Sequence, residues 1–315
     1  MEVRPITSAL VSQLLQSRAP STSGRYLEEI GKFISWCKAG KVSSLPPLSV
    51  TLALAYMVKV FNQSKSYSST VLAHSALKWY HSFLPFGHQN PFDSAMLQNF
   101  LESTKRGKPA VQRKLPVSTD MIKAISDRYA SPAASIKDLR LACLCTLGFA
   151  AFLRFDELSN ILPLNLTITA NYLKIFIPRA KNDVYREGNC VYVSRIDNKY
   201  CPVGILERYM SSAAIDCNSN LPLFRVVRFF RSSNTYKLVS TRLSYSRCRE
   251  LFKECLNDLG YDSSQFGLHS LRSGGATAAV RNNDRIAQDT RPVENVKCKR
   301  YVHTGRCRGA LKSFE

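Results

Sequence analysis

Apolar side chains recur every three to four positions through the first hundred residues, the spacing that lines one face of an α-helix. Tyr26, Ile30, Phe33, Ile34 and Cys37 make one such stripe, with Ser21-Thr22-Ser23 placed to cap it and Gly40 to end it. Pro46-Pro47 interrupts the pattern, and a second stripe runs from Ser49 to Phe61 through Leu52, Tyr56, Val60 and Phe61. Ser68-Ser69 starts a third, with Leu72, Ala76, Trp79, Tyr80 and Phe83, closed by Pro85 and Gly87. Asn90-Pro91 and Asp93 open a short fourth helix through Met96, Leu97, Phe100 and Leu101. The pattern predicts a bundle of four or five helices ending near Lys105.

Residues 105–116, KRGKPAVQRKLP, break the period with one glycine, two prolines and five cations: Lys105, Arg106, Lys108, Arg113 and Lys114. That composition reads as a domain linker, its charge either a solvated tether or a strap along a phosphate backbone. Beyond it the helical period returns over Ser118–Tyr129 and Ser135–Phe152, the second apolar on most sides. Leu166–Thr169, Tyr172–Ile177 and Cys190–Val193 then alternate or run β-branched, which predicts strands. Asn182-Asp183 supplies turn chemistry between the last two and puts Lys181 near a hairpin tip. A helix from Cys201-Pro202 to Met210 follows, then an irregular or short-strand stretch over Pro222–Phe230. An amphipathic helix over Leu243–Leu259 stops at Gly260. The fold class is mainly α with a small antiparallel β-sheet.

Charge narrows the choice of partner. Lys and Arg number 44 against 23 acidic residues, a net +21 over 315 residues, which favours a polyanion such as nucleic acid. The excess is spread out: residues 1–108 hold 12 basic and 5 acidic side chains, leaving 32 and 18 for the remainder. No basic amphipathic helix, lipidation signal or run of 18 apolar residues points to a membrane. The ten cysteines form no disulfide framework or Cys-x-x-Cys pair, and Met1–Ala19 has no long apolar core, so reduced thiols in an intracellular protein are expected. His74, His81 and His88 are seven apart but lack a carboxylate or thiol at helical spacing, which favours packing over metal binding.

Three places carry candidate chemistry. Arg154 ends a very apolar segment, so it must be paired or must face an anion, and Glu157 three positions on can hold it. A structural ion pair explains those two residues equally well. His269 and Arg272 share one face of a helix whose next residues, Ser273-Gly274-Gly275-Ala276-Thr277-Ala278-Ala279, admit a close neighbour. A guanidinium fork fits phosphate oxygens and an imidazole moves protons near neutral pH, although a capped helix with an exposed His and Arg has the same sequence.

The ordered series Arg154, Lys181, His269 and Arg272 resembles the tyrosine recombinase (phage integrase) family over nearly the whole chain. GFAAFLRFDELSNI and HSLRSGGATAA carry the likeness, and with CPVGILERYM they are most similar to eukaryotic DIRS-like and Crypton-like mobile-element recombinases. The resemblance implies a helical core-binding domain over 1–107, a basic linker over 108–116 and an α+β catalytic domain over 117–315. It implies that Arg154 and Arg272 clamp nonbridging phosphate oxygens, that Lys181 protonates the departing 5′-hydroxyl and that His269 handles protons or contacts phosphate. Tyr301, in ENVKCKRYVH, would attack phosphorus to leave a 3′-phosphotyrosyl link. A tyrosine hydroxyl has a pKa near ~10, so neighbouring cations or a base must activate it.

No metal or other cofactor is expected, because the two guanidiniums supply the charge. The implied partner is double-stranded DNA, contacted by Lys105, Arg106, Lys108, Arg113 and Lys114 among others. The implied assembly is a homodimer or homotetramer, and the eukaryotic flavour implies the nucleus. The chain departs from the family at RNNDRIAQDTRPV, residues 281–293, where a glycine-rich turn and a second His, often followed by Trp, are usual. Tyr301 also reads as a surface tyrosine on a basic tail. Two other readings therefore stand beside the recombinase: a DNA-binding protein that keeps the fold without turnover, and a monomeric enzyme with type IB topoisomerase chemistry.

Overall fold

The computed structural model describes residues 13–44, 47–83, 89–108, 112–178 and 187–289, and the short strand at 301–302; for 282–289 and 301–302 the description is of backbone only. Two compact units divide between Gln112 and Arg113.

The first unit is helical. Its elements are α1 (Pro20–Ala39), α2 (Val50–Ser64), α3 (Tyr67–His81) and α4 (Ala95–Arg106), with a 3-10 turn at Pro91–Asp93. Serine caps set three of the starts: Ser49, Ser66 and Ser94 each accept the N–H three positions on. The expected Ser21-Thr22-Ser23 cap is corrected. Ala19 is the N-cap and Pro20 opens α1, because the fixed φ of proline suits the first helical position. Ser23 lies inside the helix and donates to the Leu15 carbonyl at 2.6 Å. The core is aromatic: Phe33 and Tyr56 are fully buried and meet edge to face, 5.0 Å between centroids. His74 bonds the Phe92 carbonyl at 2.9 Å, and His81 accepts the Leu48 N–H at 3.0 Å, so both are packing histidines. His88 lies outside the described residues.

The second unit is built on α6 (Ile136–Ala150), in which every residue from Leu139 to Ala150 is buried. Fully burying a Leu or Phe contributes about 1.5–3 kcal/mol, and Leu139, Leu141, Leu144, Leu147 and Phe149 make α6 the spine of this core. Around it pack α5 (Thr119–Tyr129), α8 (Pro202–Ser212) and α10 (His269–Asp289). The short α7 (Phe155–Ser159) follows α6, and α9 (Tyr245–Asp258) completes the helices among the described residues. Ser118, Ser135 and Ser244 cap α5, α6 and α9.

Strands β1 (Leu166–Ile168), β2 (Tyr172–Ile177) and β3 (Asn189–Ser194) form an antiparallel meander. A two-residue strand, β6 (Tyr301–Val302), adds parallel to β3, so the sheet order is β1-β2-β3-β6. Where an irregular stretch or short strand was expected over 222–230, the chain forms an antiparallel hairpin of β4 (Arg225–Phe230) and β5 (Thr235–Arg242). Its strands are mostly exposed, so burial imposes no two-residue alternation of the kind that marks a half-buried strand. The fold is mainly α with a small, largely antiparallel sheet, as the sequence pattern predicts.

Candidate active site

Arg154 is the N-cap of α7, and Glu157 is the third residue of that helix. The Glu157 carboxylate accepts the Arg154 backbone N–H at 2.9 Å and the Arg154 guanidinium Nη1 at 2.8 Å. Helix geometry alone makes this pair, since N-cap and N3 face each other across the first turn. The same carboxylate also reaches a distant residue: Arg272 Nη1 lies 3.5 Å from Glu157 Oε2. Arg272 also donates to the Phe152 carbonyl at 2.7 Å. Glu157 is buried, while the Arg154 and Arg272 side chains keep 27% and 23% of their surface open to solvent. One buried carboxylate thus orients two partly open guanidiniums, each a planar fork of donors that fits an anion's oxygens.

The backbone around Arg272 is shaped by two glycines. A Cβ on Gly275 would stand 2.0 Å from the Phe149 carbonyl oxygen and 2.7 Å from the Phe152 ring. A Cβ on Gly274 would stand 2.2 Å from the Val117 carbonyl oxygen. Glycine there lets α10 press directly on the end of α6 and on the strap that enters the unit. Phe152 adopts φ +49°, the left-handed region in which a side chain costs about 1–2 kcal/mol. That conformation turns the chain between α6 and α7, with its carbonyl bonded to Arg272 and its ring over Gly275.

The strap is residues 114–117. Leu115 N–H donates to the Gln265 carbonyl at 2.9 Å and Val117 N–H to the Ser270 carbonyl at 3.0 Å, and Lys114 Nζ bonds the Ser264 carbonyl. The chain entering the second unit is thereby stitched to the turn that opens α10 at His269.

No protein-family model matches the chain. A protein described as an integrase/recombinase XerD homolog, from Selenomonas ruminantium, is 27% identical over 300 residues, spanning 93% of this chain and 84% of the relative. Among solved structures, the XerH site-specific recombinase bound to palindromic difH substrate after cleavage is similar with a TM-score of 0.57. Identity there is 14%, over 83% of this chain and 69% of that one. A lambda integrase tetramer bound to a Holliday junction gives a TM-score of 0.52 at 16% identity, over 91% and 79%. The fold is that of the tyrosine recombinases.

Within this tyrosine recombinase fold, the structure brings Arg154 and Arg272 together and sets His269 one helical turn before Arg272, exposed at the start of α10. Lys181 belongs to the segment joining β2 and β3 and lies outside the described residues. Tyr301 is described by its backbone, as a strand residue opposite Tyr192. Of the cations expected to meet DNA, Lys105 and Arg106 form the last turn of α4, and Lys105 pairs with Glu102 at 3.2 Å. Lys108 lies over the Tyr67 ring at 5.8 Å, and Arg113 is exposed. Lys114 is the strap residue already named. Among the described residues no group of three His, Cys, Asp or Glu side chains is arranged to hold a metal ion. No helix among them is long and apolar enough to cross a membrane.

Sequence reasoning missed the Glu157–Arg272 contact and the Phe152 carbonyl. The signal for both was the Gly274-Gly275 pair, since each glycine inside a helix costs about 1 kcal/mol relative to alanine and is kept where a neighbour needs the space.

Proposed function

We propose that this protein is a site-specific DNA recombinase or integrase that cuts and rejoins double-stranded DNA through a 3′-phosphotyrosyl intermediate. The observation that carries the reading is the pair of guanidiniums, Arg154 and Arg272, oriented by Glu157. Phosphoryl transfer spreads charge onto the nonbridging oxygens, and preorganised cations stabilise it without reorganising during the step. His269, exposed on the same helix, manages a proton beside them. Tyr301 is the nucleophile and Lys181 the acid for the 5′-hydroxyl, roles taken from the family resemblance. The net +21 supplies salt-sensitive affinity for DNA in both units.

The relative and the structural neighbours support this reading through what they are named for, integrase and site-specific recombinase activity on DNA. The helical unit serves as the core-binding domain, the enzyme works as a homodimer or homotetramer on DNA, and the element of origin is DIRS-like or Crypton-like with a nuclear site of action. A second reading, a DNA-binding protein without turnover, is favoured by residues 281–293, which lack the second His and the Trp. Strand cleavage of pooled genomic fragments separates the two. Wild type should cut, Arg154→Ala and Arg272→Ala should fall at least about 100-fold, and cutting unaffected by either substitution would remove both arginines from the site.

A further inference from the structure

The β4–β5 hairpin carries a charge arrangement that its own stability does not call for. From Arg225 to Arg242 it holds five cations, Arg225, Arg228, Arg231, Lys237 and Arg242, and no carboxylate. Two of its cross-strand partners are like charges: Arg228 stands opposite Lys237, and Arg225 opposite Arg242. Like charges directly opposite each other destabilise an antiparallel pair, and a lone two-stranded ribbon is marginal in water.

The ribbon is held from its root instead. Leu243 N–H donates to the Phe224 carbonyl at 3.0 Å, the buried Arg140 of α6 donates to the Arg225 carbonyl at 2.6 Å, and Arg242 bonds the Asn160 side chain. The register fixes which face looks where. Val227, Phe229, Tyr236 and Leu238 share one face; at its inner end Leu238 packs on the core and Lys137 of α6 lies 3.7 Å over the Tyr236 ring, while Phe229 and Tyr236 stay largely exposed. The opposite face presents Arg228 and Lys237, both exposed, beside Phe230.

We infer that this ribbon is a DNA-contacting arm, in which Arg228 and Lys237 together take adjacent phosphates of a duplex. The inference rests on the proposed DNA activity and adds a contact surface separate from Arg154 and Arg272. A polyanion removes the cross-strand repulsion that the free protein bears, and a two-stranded ribbon is of a size that the major groove admits. Rooting in α6 and beside α7 keeps the arm in a fixed relation to the helices that end at and begin with the candidate site.

The test is the salt dependence of binding of the full chain to a fluorescent 30-base-pair duplex of arbitrary sequence, for wild type and Arg228→Ala/Lys237→Ala. Each lost phosphate contact lowers the slope of log affinity against log salt by about one, so the double variant should lose about two. Its melting midpoint should equal or exceed that of wild type, since a repulsive pair has been removed; this excludes misfolding as the cause. Steep wild-type binding with an unchanged slope in the variant overturns the arm alone, and leaves the ribbon to an acidic protein surface. Wild-type binding that does not respond to salt overturns the DNA reading itself, and the arm with it.

Discussion

Arg154 and Arg272, far apart in the sequence, are held by the same buried carboxylate, that of Glu157. Glu157→Gln keeps the shape and loses the charge. Removing one partner of a buried charge network costs about 3–5 kcal/mol, and the partial exposure of both arginines reduces that here to about 1–2 kcal/mol. Cleavage should fall more than stability does, because both clamps lose their orientation. Paired melting and cleavage measurements decide the matter; a variant that melts lower but cuts at the wild-type rate makes Glu157 purely structural.

The sequence disclosed half of this arrangement. Arg154 and Glu157 were legible as partners because an i,i+3 relation is local and the period of a helix dictates it. Ser49, Ser118 and Ser135 likewise marked helix starts, since a hydroxyl before an apolar stripe has one favourable place to be. Arg272 meeting Glu157 depends on how α10 packs against α6, which no local rule contains. A short strand over 222–230 was legible, but its partner β5 escaped for a different reason: both strands lie mostly in solvent, so burial imposed no alternation on them.

The two glycines of α10 give a test of that packing. Gly275→Ala places a methyl against the Phe149 carbonyl oxygen and Gly274→Ala places one against the Val117 carbonyl, where backbone cannot yield cheaply. Overpacking of this kind costs about 2 kcal/mol or more, which lowers the melting midpoint of a unit this size by several degrees. Gly24→Ala, in α1, meets nothing within 4 Å and should leave the midpoint unchanged or slightly higher. Equal behaviour of all three variants would contradict the close approach of α10.

The first unit should respond to acid through His74. Burial holds its pKa below the ordinary 6.5, although the hydrogen bond to Phe92 acts in the other direction. The unfolded chain therefore binds the proton more readily than the folded one. The corresponding stability is present above about pH 6.5 and is lost as pH falls toward the folded value. His74→Gln can still donate to the Phe92 carbonyl but does not titrate, so its melting midpoint should vary less between pH 7.5 and 5.5. A wild-type midpoint that does not fall over that range would remove His74 as an acid-sensitive group.

The most direct measurement is a covalent one. Wild-type protein is incubated with genomic duplex fragments nicked near the cut, so that the short strand diffuses away, and adducts are separated on a denaturing gel and mapped by mass spectrometry. A tyrosine recombinase should yield a protein–DNA adduct on Tyr301, absent from Tyr301→Phe and reduced in Arg272→Ala. DNA binding with no adduct across the fragment pool, or an adduct that persists in Tyr301→Phe, would contradict the assignment.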